Sequence, residues 1–310
     1  MKILLIYDGS SYSETATRML EGLKLPPQTE IIVMTVIPEP TCLGGITIGK
    51  LWGTAQEKEK DHEEEAAKIL PGPVQLLRES GLKVASQVRR GNPANEVVKA
   101  AEEYDVSLIV MGTKGVTNYP AFRLGSVCQN VMKQARTNIL IARKKTARAD
   151  KLSQTGESSI NIDRILFATD GSKYADMAAG FLMALPAPRQ CEINVLTVLQ
   201  SYIAALQKVP TTERKTYQKM LDNVQAAEEE EAKKIIARSV ERFTAEGYRT
   251  ASMIMRGAAE ESILKAANEY GPDIITVGCR GLSGIESLFM GSVSERIVRH
   301  APCSVIVVKR

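Results

Sequence analysis

Gly278-Cys279-Arg280-Gly281-Leu282-Ser283-Gly284-Ile285-Glu286-Ser287-Leu288-Phe289-Met290-Gly291-Ser292 is the stretch on which the reading of this chain turns. It follows the apolar run Ile274-Ile275-Thr276-Val277, which has the length of a buried strand. It leads into Val293–Arg299, which reads as a helix with Ser292 near its N-terminus. The spacing is glycine, two residues, glycine, nine residues, then Gly-Ser. Such a pattern suits a phosphate, because glycines let the backbone approach a ligand and the free N–H groups of a helix start attract an anion. The same spacing recurs at Gly112, Gly115, Gly125 and Ser126, again after an apolar run, Leu108–Met111.

Working outward, the elements around the two motifs also match. An apolar strand ends at Asp8-Gly9-Ser10 in the first half and at Asp170-Gly171-Ser172 in the second. Each turn opens a helix, from Ser13 to about Leu23 and from Tyr174 to about Leu185, stopped by Pro26-Pro27 and by Pro186. Second strands follow, Glu30–Ile37 and Glu192–Leu199, sharing Thr35-Val36 and Thr197-Val198. The halves then diverge, and the glycine-rich Gly44-Gly45-Ile46-Thr47-Ile48-Gly49 fits no dinucleotide fingerprint and reads as a loop or lid. Long charged helices come next, about Ala55–Ser80 and Glu213–Gly247. Third strands, Lys83–Arg89 and Arg249–Met255, lead through Gly91-Asn92-Pro93 and Gly257-Ala258-Ala259 into further helices. Fifth strands, Asn138–Ala142 and Ser304–Val308, close each unit.

The separation between equivalent residues tests the repeat. By subtraction of residue numbers it is 162 from Asp8 to Asp170 and from Val36 to Val198, and 166 from Gly91 to Gly257, Gly112 to Gly278 and Gly125 to Gly291. One length change in the diverged region accounts for both values. The chain is thus a duplicated domain, residues 1–145 and 161–310, with 146–160 as a polar linker rich in Ser, Thr and Lys. Strands that alternate with helices and read as continuous apolar runs predict a parallel sheet covered on both faces. The fold class is therefore α/β: two tandem, doubly wound, Rossmann-like domains, each an open five-stranded parallel sheet with about four helices. Ligands of such sheets bind beyond the carboxyl ends of the strands at the topological switch point. Asp8, Val36 and the first glycine motif fall at that edge, as do Asp170, Val198 and the second.

Composition narrows the function classes. The 310 residues are 44% hydrophobic and 25% charged, a globular profile with room for two cores. No apolar run reaches the length of a membrane span, and Met1–Ile6 lacks the long apolar region of a signal peptide, so a cytoplasmic location is expected and no membrane partner. A net charge of +4 without a dense basic block, together with 5% aromatic residues, does not call for nucleic acid. Cys42, Cys128, Cys191, Cys279 and Cys303 show no zinc-type spacing; Cys303 and Cys279 read as packing residues. His62 sits in a charged run and His300 at a helix end, where a positive charge suits the dipole; a His-dependent triad is excluded. Catalytic and metal-ligating residues are assigned to none.

The Asp after strand one, the Val near the end of strand two and Gly-x2-Gly-x9-Gly-Ser after strand four resemble the universal stress proteins of the ATP-binding type. The likeness covers nearly the whole chain twice, as a tandem form of that family with its adenine nucleotide alpha hydrolase-like fold. It implies that Asp8 and Val36, and Asp170 and Val198, hold the adenine end. It implies that Gly112, Gly115, Gly125 and Ser126, and Gly278, Gly281, Gly291 and Ser292, carry ribose and phosphates. The chemistry agrees: a carboxylate accepts from an amino or hydroxyl group, and a serine at a helix start offers a hydroxyl and an N–H. Lys114 and Arg280, between the paired glycines, read as solvated loop charges within reach of an anion. For Asp8 and Asp170 the plainer role is a helix N-cap or a turn-forming aspartate. Tyr119-Pro120 constrains the loop of the first motif, and Gly257-Ala258-Ala259 departs from the Gly-x-Pro that the first half keeps.

The expected function is an ATP-binding regulatory protein of the stress response, with one site per domain and Mg²⁺ accompanying the triphosphate. An interaction scaffold with vestigial sites is one alternative. A slow ATPase is another, although no Walker-type Gly-x4-Gly-Lys-Ser/Thr, kinase signature or carboxylate cluster supports it. The resemblance further implies that the two domains pair through their apolar fifth strands as an intramolecular pseudo-dimer, and a homodimer of whole chains stays open.

Overall fold

A computed structural model describes residues 1–310 apart from 40–41, 44–45, 48–63, 65, 67, 116–123, 146–159, 186–187, 189, 208 and 283–289. Gly44, Gly45 and Gly49, His62, Tyr119-Pro120, the start of the charged helix at Ala55 and the linker 146–159 lie outside the described residues, as does the side chain of Cys42. The chain divides into two compact units, built on Met1–Lys144 and on Ile162–Lys309.

The first unit runs β1 (Lys2–Ile6), α1 (Ser11–Gly22), β2 (Glu30–Pro38), α2 (Pro71–Glu79), β3 (Lys83–Gly91), α3 (Pro93–Glu103), β4 (Leu108–Gly112), α4 (Ser126–Gln134) and β5 (Asn138–Ala142). Between β2 and α2, Cys42–Leu43 pairs with Ile46–Thr47 in a short antiparallel ladder. The second unit repeats the plan as β6 (Arg164–Ala168), α5 (Lys173–Ala184), β7 (Glu192–Leu199), α6 (Arg214–Ala245), β8 (Arg249–Arg256), α7 (Ala259–Tyr270), β9 (Ile274–Gly278), α8 (Ser292–His300) and β10 (Ser304–Val308). A short helix, Ile203–Gln207, precedes α6.

Within the first unit the strand order is β3-β2-β1-β4-β5, and every neighbouring pair is parallel. The second unit follows the same order, β8-β7-β6-β9-β10. Register is conserved as well. Ile3 faces Leu108 in one unit, and their counterparts Ile165 and Ile274 face each other in the other. The strand sequence reverses direction between β1 and β4, and between β6 and β9, which is where open parallel sheets leave a crevice.

Local signals explain the element ends. Ser10 and Ser172 accept a hydrogen bond from the N–H of Ser13 and Ala175 and so cap α1 and α5. Asn92 does the same for α3, with Pro93 at the first helical position. Gly91 and Gly257 adopt φ of +136° and +150°, a region that glycine alone enters readily. Cores are apolar: Ile3, Leu4, Leu5, Ile109 and Val110 are fully buried in the first unit, and Ile165, Leu166, Phe167 and Ile275 in the second. Phe167 meets Phe243 of α6 edge to face at 5.2 Å between ring centroids, fixing the long helix against its sheet.

Candidate nucleotide sites

Each unit carries a cavity at the carboxyl edge of its sheet. That of the first unit is about 520 Å³ and that of the second about 440 Å³, both within the range of small-molecule sites. Asp8, Val36, Gly112, Gly115, Gly125 and Ser126 all line the first. Asp170, Val198, Gly278, Gly281, Gly291 and Ser292 all line the second. All twelve sequence-selected residues are therefore gathered, six to a cavity. Apolar walls come from Ile6 and Met111 in the first cavity and from Leu196, Ile263 and Val277 in the second.

The aspartates do two things at once. Oδ1 of Asp8 accepts the Ser10 N–H at 3.1 Å and the Ser10 hydroxyl at 2.6 Å, and Oδ1 of Asp170 accepts the Ser172 N–H at 3.0 Å. This is the turn-forming role of aspartate. The helix N-cap expected of them as the plainer alternative belongs instead to Ser10 and Ser172, two residues on, because those residues hold the extended backbone that a cap requires. The second oxygen of each aspartate turns toward the glycine loop. Oδ2 of Asp170 accepts the Leu282 N–H at 2.9 Å. A Cβ added at Gly115 would lie 2.7 Å from Asp8 Oδ2, and one at Gly281 would lie 2.6 Å from Asp170 Oδ2. Glycine at these positions keeps the carboxylate against the loop.

Gly112 and Gly278 serve a different purpose. A Cβ on Gly112 would lie 2.7 Å from the carbonyl carbon of Tyr12, and one on Gly278 at the same 2.7 Å from that of Tyr174. These glycines let the first helix pack directly on the end of the fourth strand. Nothing in their sequence neighbourhood announces that contact.

The third glycine of each motif closes the loop and starts a helix. Gly125 N–H donates to the Thr113 carbonyl and Gly291 N–H to the Cys279 carbonyl, both at 2.7 Å. Gly125 and Gly291 are also the N-cap residues of α4 and α8, so no cap side chain accepts from the first-turn N–H groups. Ser126 and Ser292 are the first helical residues, and both are exposed. Each cavity thus has an acidic, apolar end near the first strand and a helix N-terminus at the other, where the dipole favours negative charge.

Lys114 and Arg280 line the cavities as well. Arg280 is no solvated loop charge: its Nη1 donates to the Tyr174 hydroxyl at 2.8 Å and its guanidinium carbon lies 5.3 Å from the centre of that ring. Cys279 is buried, and burial pushes its thiol up from the ordinary value; Cys303 is buried too, so both cysteines pack as expected. His300 lies at the exposed end of α8. Among the described residues, no group of three His, Cys, Asp or Glu side chains could hold a metal ion, and no helix is long and apolar enough to cross a membrane.

The model of the universal stress protein family matches residues 1–143 and again residues 161–309. The chain belongs to the universal stress protein family. Universal stress protein MJ0531 of Methanocaldococcus jannaschii is 32% identical over 143 residues, 46% of this chain and 82% of that protein. Universal stress protein MJ0577 of the same organism is 30% identical over 156 residues, 47% of this chain and 96% of that one. Each relative therefore spans about one half of the present chain, in keeping with a tandem form. A universal stress protein from Archaeoglobus fulgidus aligns in its crystal structure over 100% of this chain and 96% of its own, at a TM-score of 0.63 and 24% identity, and so shares the two-fold repeated fold.

Proposed function

We propose that each unit binds one adenine nucleotide, ATP with Mg²⁺ held by the phosphates, and that occupancy sets the conformation or partner affinity of a regulatory protein of the stress response. Asp8 with Val36, and Asp170 with Val198, would meet the adenine end. The glycine loops and Ser126 and Ser292 would meet ribose and phosphates. The observation that carries the reading is the polarity of each cavity: six motif residues on one crevice, an aspartate at one end and a glycine-capped helix N-terminus at the other. Ser10 and Ser172 take Oδ1 of the aspartates, so Oδ2 is the oxygen proposed to meet a ligand; in Asp170 it would do so with the lone pair that the Leu282 N–H does not use.

The proposal includes domains at 1–145 and 161–310 joined by 146–160, packing of the two domains through their fifth strands, and a cytoplasmic location. Regulation rather than turnover is the reading because the described residues that line the cavities supply one carboxylate each and no histidine to activate water.

The test is the content of the purified protein. Denaturing it without added ligand and identifying released molecules by mass spectrometry should give adenine nucleotide, up to two per chain. Gly125→Val and Gly291→Val, which crowd Thr113 to Gly115 and Cys279 to Arg280 respectively, should each remove one. An empty protein that also fails to take up ATP with Mg²⁺ or cyclic AMP on titration would reject the reading.

A further inference from the structure

Arg280 stands in the second cavity beside Gly281, Gly291 and Ser292, next to the N-terminus of α8. Its described neighbours hold it in place without neutralising it. Tyr174 presses its main chain on Gly278, so its position is set by the fold, and it presents both a hydroxyl and a ring face to the guanidinium. Both partners are uncharged. Elsewhere in the same unit Arg256 pairs with Glu228 and Glu229, Arg296 with Glu260 and Arg299 with Glu295, whereas Arg164, like Arg280, rests on a tyrosine ring, that of Tyr270 at 5.6 Å. Among the described residues no carboxylate pairs with Arg280, its Nε is buried without a hydrogen-bond partner, and only Nη1 makes a hydrogen bond.

A pre-positioned guanidinium with unspent donors beside a helix N-terminus is suited to phosphate oxygens, which it can grip in a two-pronged fashion that an ammonium cannot. We propose that Arg280, positioned by Tyr174, reads the charge of the ligand's phosphate chain, so that the second site favours ATP and ADP over AMP and adenosine. The inference rests on the nucleotide reading and adds to it a residue outside the glycine and serine positions. The guanidinium is fixed before the ligand arrives, which reduces the ordering that binding would otherwise require. The counterpart in the first unit is Lys114, so an Arg280→Lys change asks whether the charge alone or the forked geometry matters.

The experiment is calorimetric titration of the full chain, fitted to two sites, with adenosine, AMP, ADP and ATP. Arg280→Met should weaken ATP at one of the two sites by about tenfold or more, the ordinary worth of a hydrogen bond to a charged group, while adenosine changes by less than about twofold. Arg280→Lys should fall between Arg280→Met and wild type. Tyr174→Phe, which keeps the ring and removes the hydroxyl, should lower the ATP-over-adenosine ratio by a smaller factor. An Arg280→Met protein that binds ATP as wild type does, or that loses ATP and adenosine in equal proportion, would overturn this inference and leave the nucleotide reading standing. Wild-type protein that binds none of the four would overturn both.

Discussion

Two glycines of one motif should fail in opposite ways when given a methyl group. In Gly278→Ala the new Cβ would sit 2.7 Å from the carbonyl carbon of Tyr174, 2.8 Å from its oxygen and 3.0 Å from its Cβ. Carbon atoms pack best near 3.5–4.0 Å, so roughly 1 Å of separation must be found between α5 and the end of β9. Two of those three atoms are backbone and cannot turn away. Overpacking of this kind costs roughly 1–3 kcal/mol. At about 2–4 °C per kcal/mol for a domain of this size, the unit should melt some 2–12 °C lower. In Gly281→Ala, among the described residues, the methyl meets only Asp170 Oδ2 at 2.6 Å, with the next atom, Cγ, at 3.7 Å. A carboxylate can rotate. The cost is then the 2.9 Å hydrogen bond from Leu282, which is exposed so that water can replace it, on the order of 0.5–1.5 kcal/mol, with a displaced oxygen at the aspartate end of the cavity. Neither position has the left-handed backbone that would itself forbid alanine. Differential scanning fluorimetry should therefore show the larger loss in Gly278→Ala. ATP titration should show the larger loss of affinity, relative to its stability, in Gly281→Ala. Equal melting shifts, or a Gly281→Ala protein with full affinity at both sites, would refute this division of labour.

Removing the cap hydroxyls, Ser10→Ala or Ser172→Ala, should cost about 0.5–2 kcal/mol each by chemical denaturation, because the Ser13 or Ala175 N–H loses its acceptor. Lys309→Met should stabilise the protein at pH 7, with the gain shrinking as pH rises. The half-buried ammonium holds its proton less tightly when folded, at about 8, than when unfolded, near 10.4, so wild-type stability rises through that window. A gain that does not shrink between pH 7 and 10 would show that the charge of Lys309 is not what burial penalises. Cys128, whose thiol burial pushes up to about 12, should resist alkylation at pH 8 in the native protein and react promptly in urea.

The repeat made most of the fold legible. Two constant separations, 162 and 166, placed ten strands and the order of the helices, and most observed ends differ from expected ones by a residue or two, as with Glu30–Pro38 for Glu30–Ile37; the helix expected over Ala55–Ser80 instead breaks at Leu70, where Pro71 starts α2 afresh. Parallel sheets bury both faces, so their strands announce themselves as unbroken apolar runs such as Leu108–Val110. The positions of the motif residues at one edge followed from the same logic. What sequence did not disclose was the division of roles within the motif. The contact of Gly278 with Tyr174 joins residues about a hundred positions apart, and the bond from Arg280 to the same tyrosine spans 106. Spacing rules describe neighbours along a strand or helix and are silent on such approaches. By sequence Asp8 is as good a cap as Ser10, because Asp and Ser share that preference, and only the backbone angles at Ser10 separate them.

Calorimetric stoichiometry of ATP binding to the full chain with Mg²⁺ bears most directly on the central claim. Two sites per chain, falling to one in Asp8→Ala and to one in Asp170→Ala, is the predicted result. One site insensitive to either aspartate, or heat of dilution alone, would contradict the claim that both repeats hold a nucleotide.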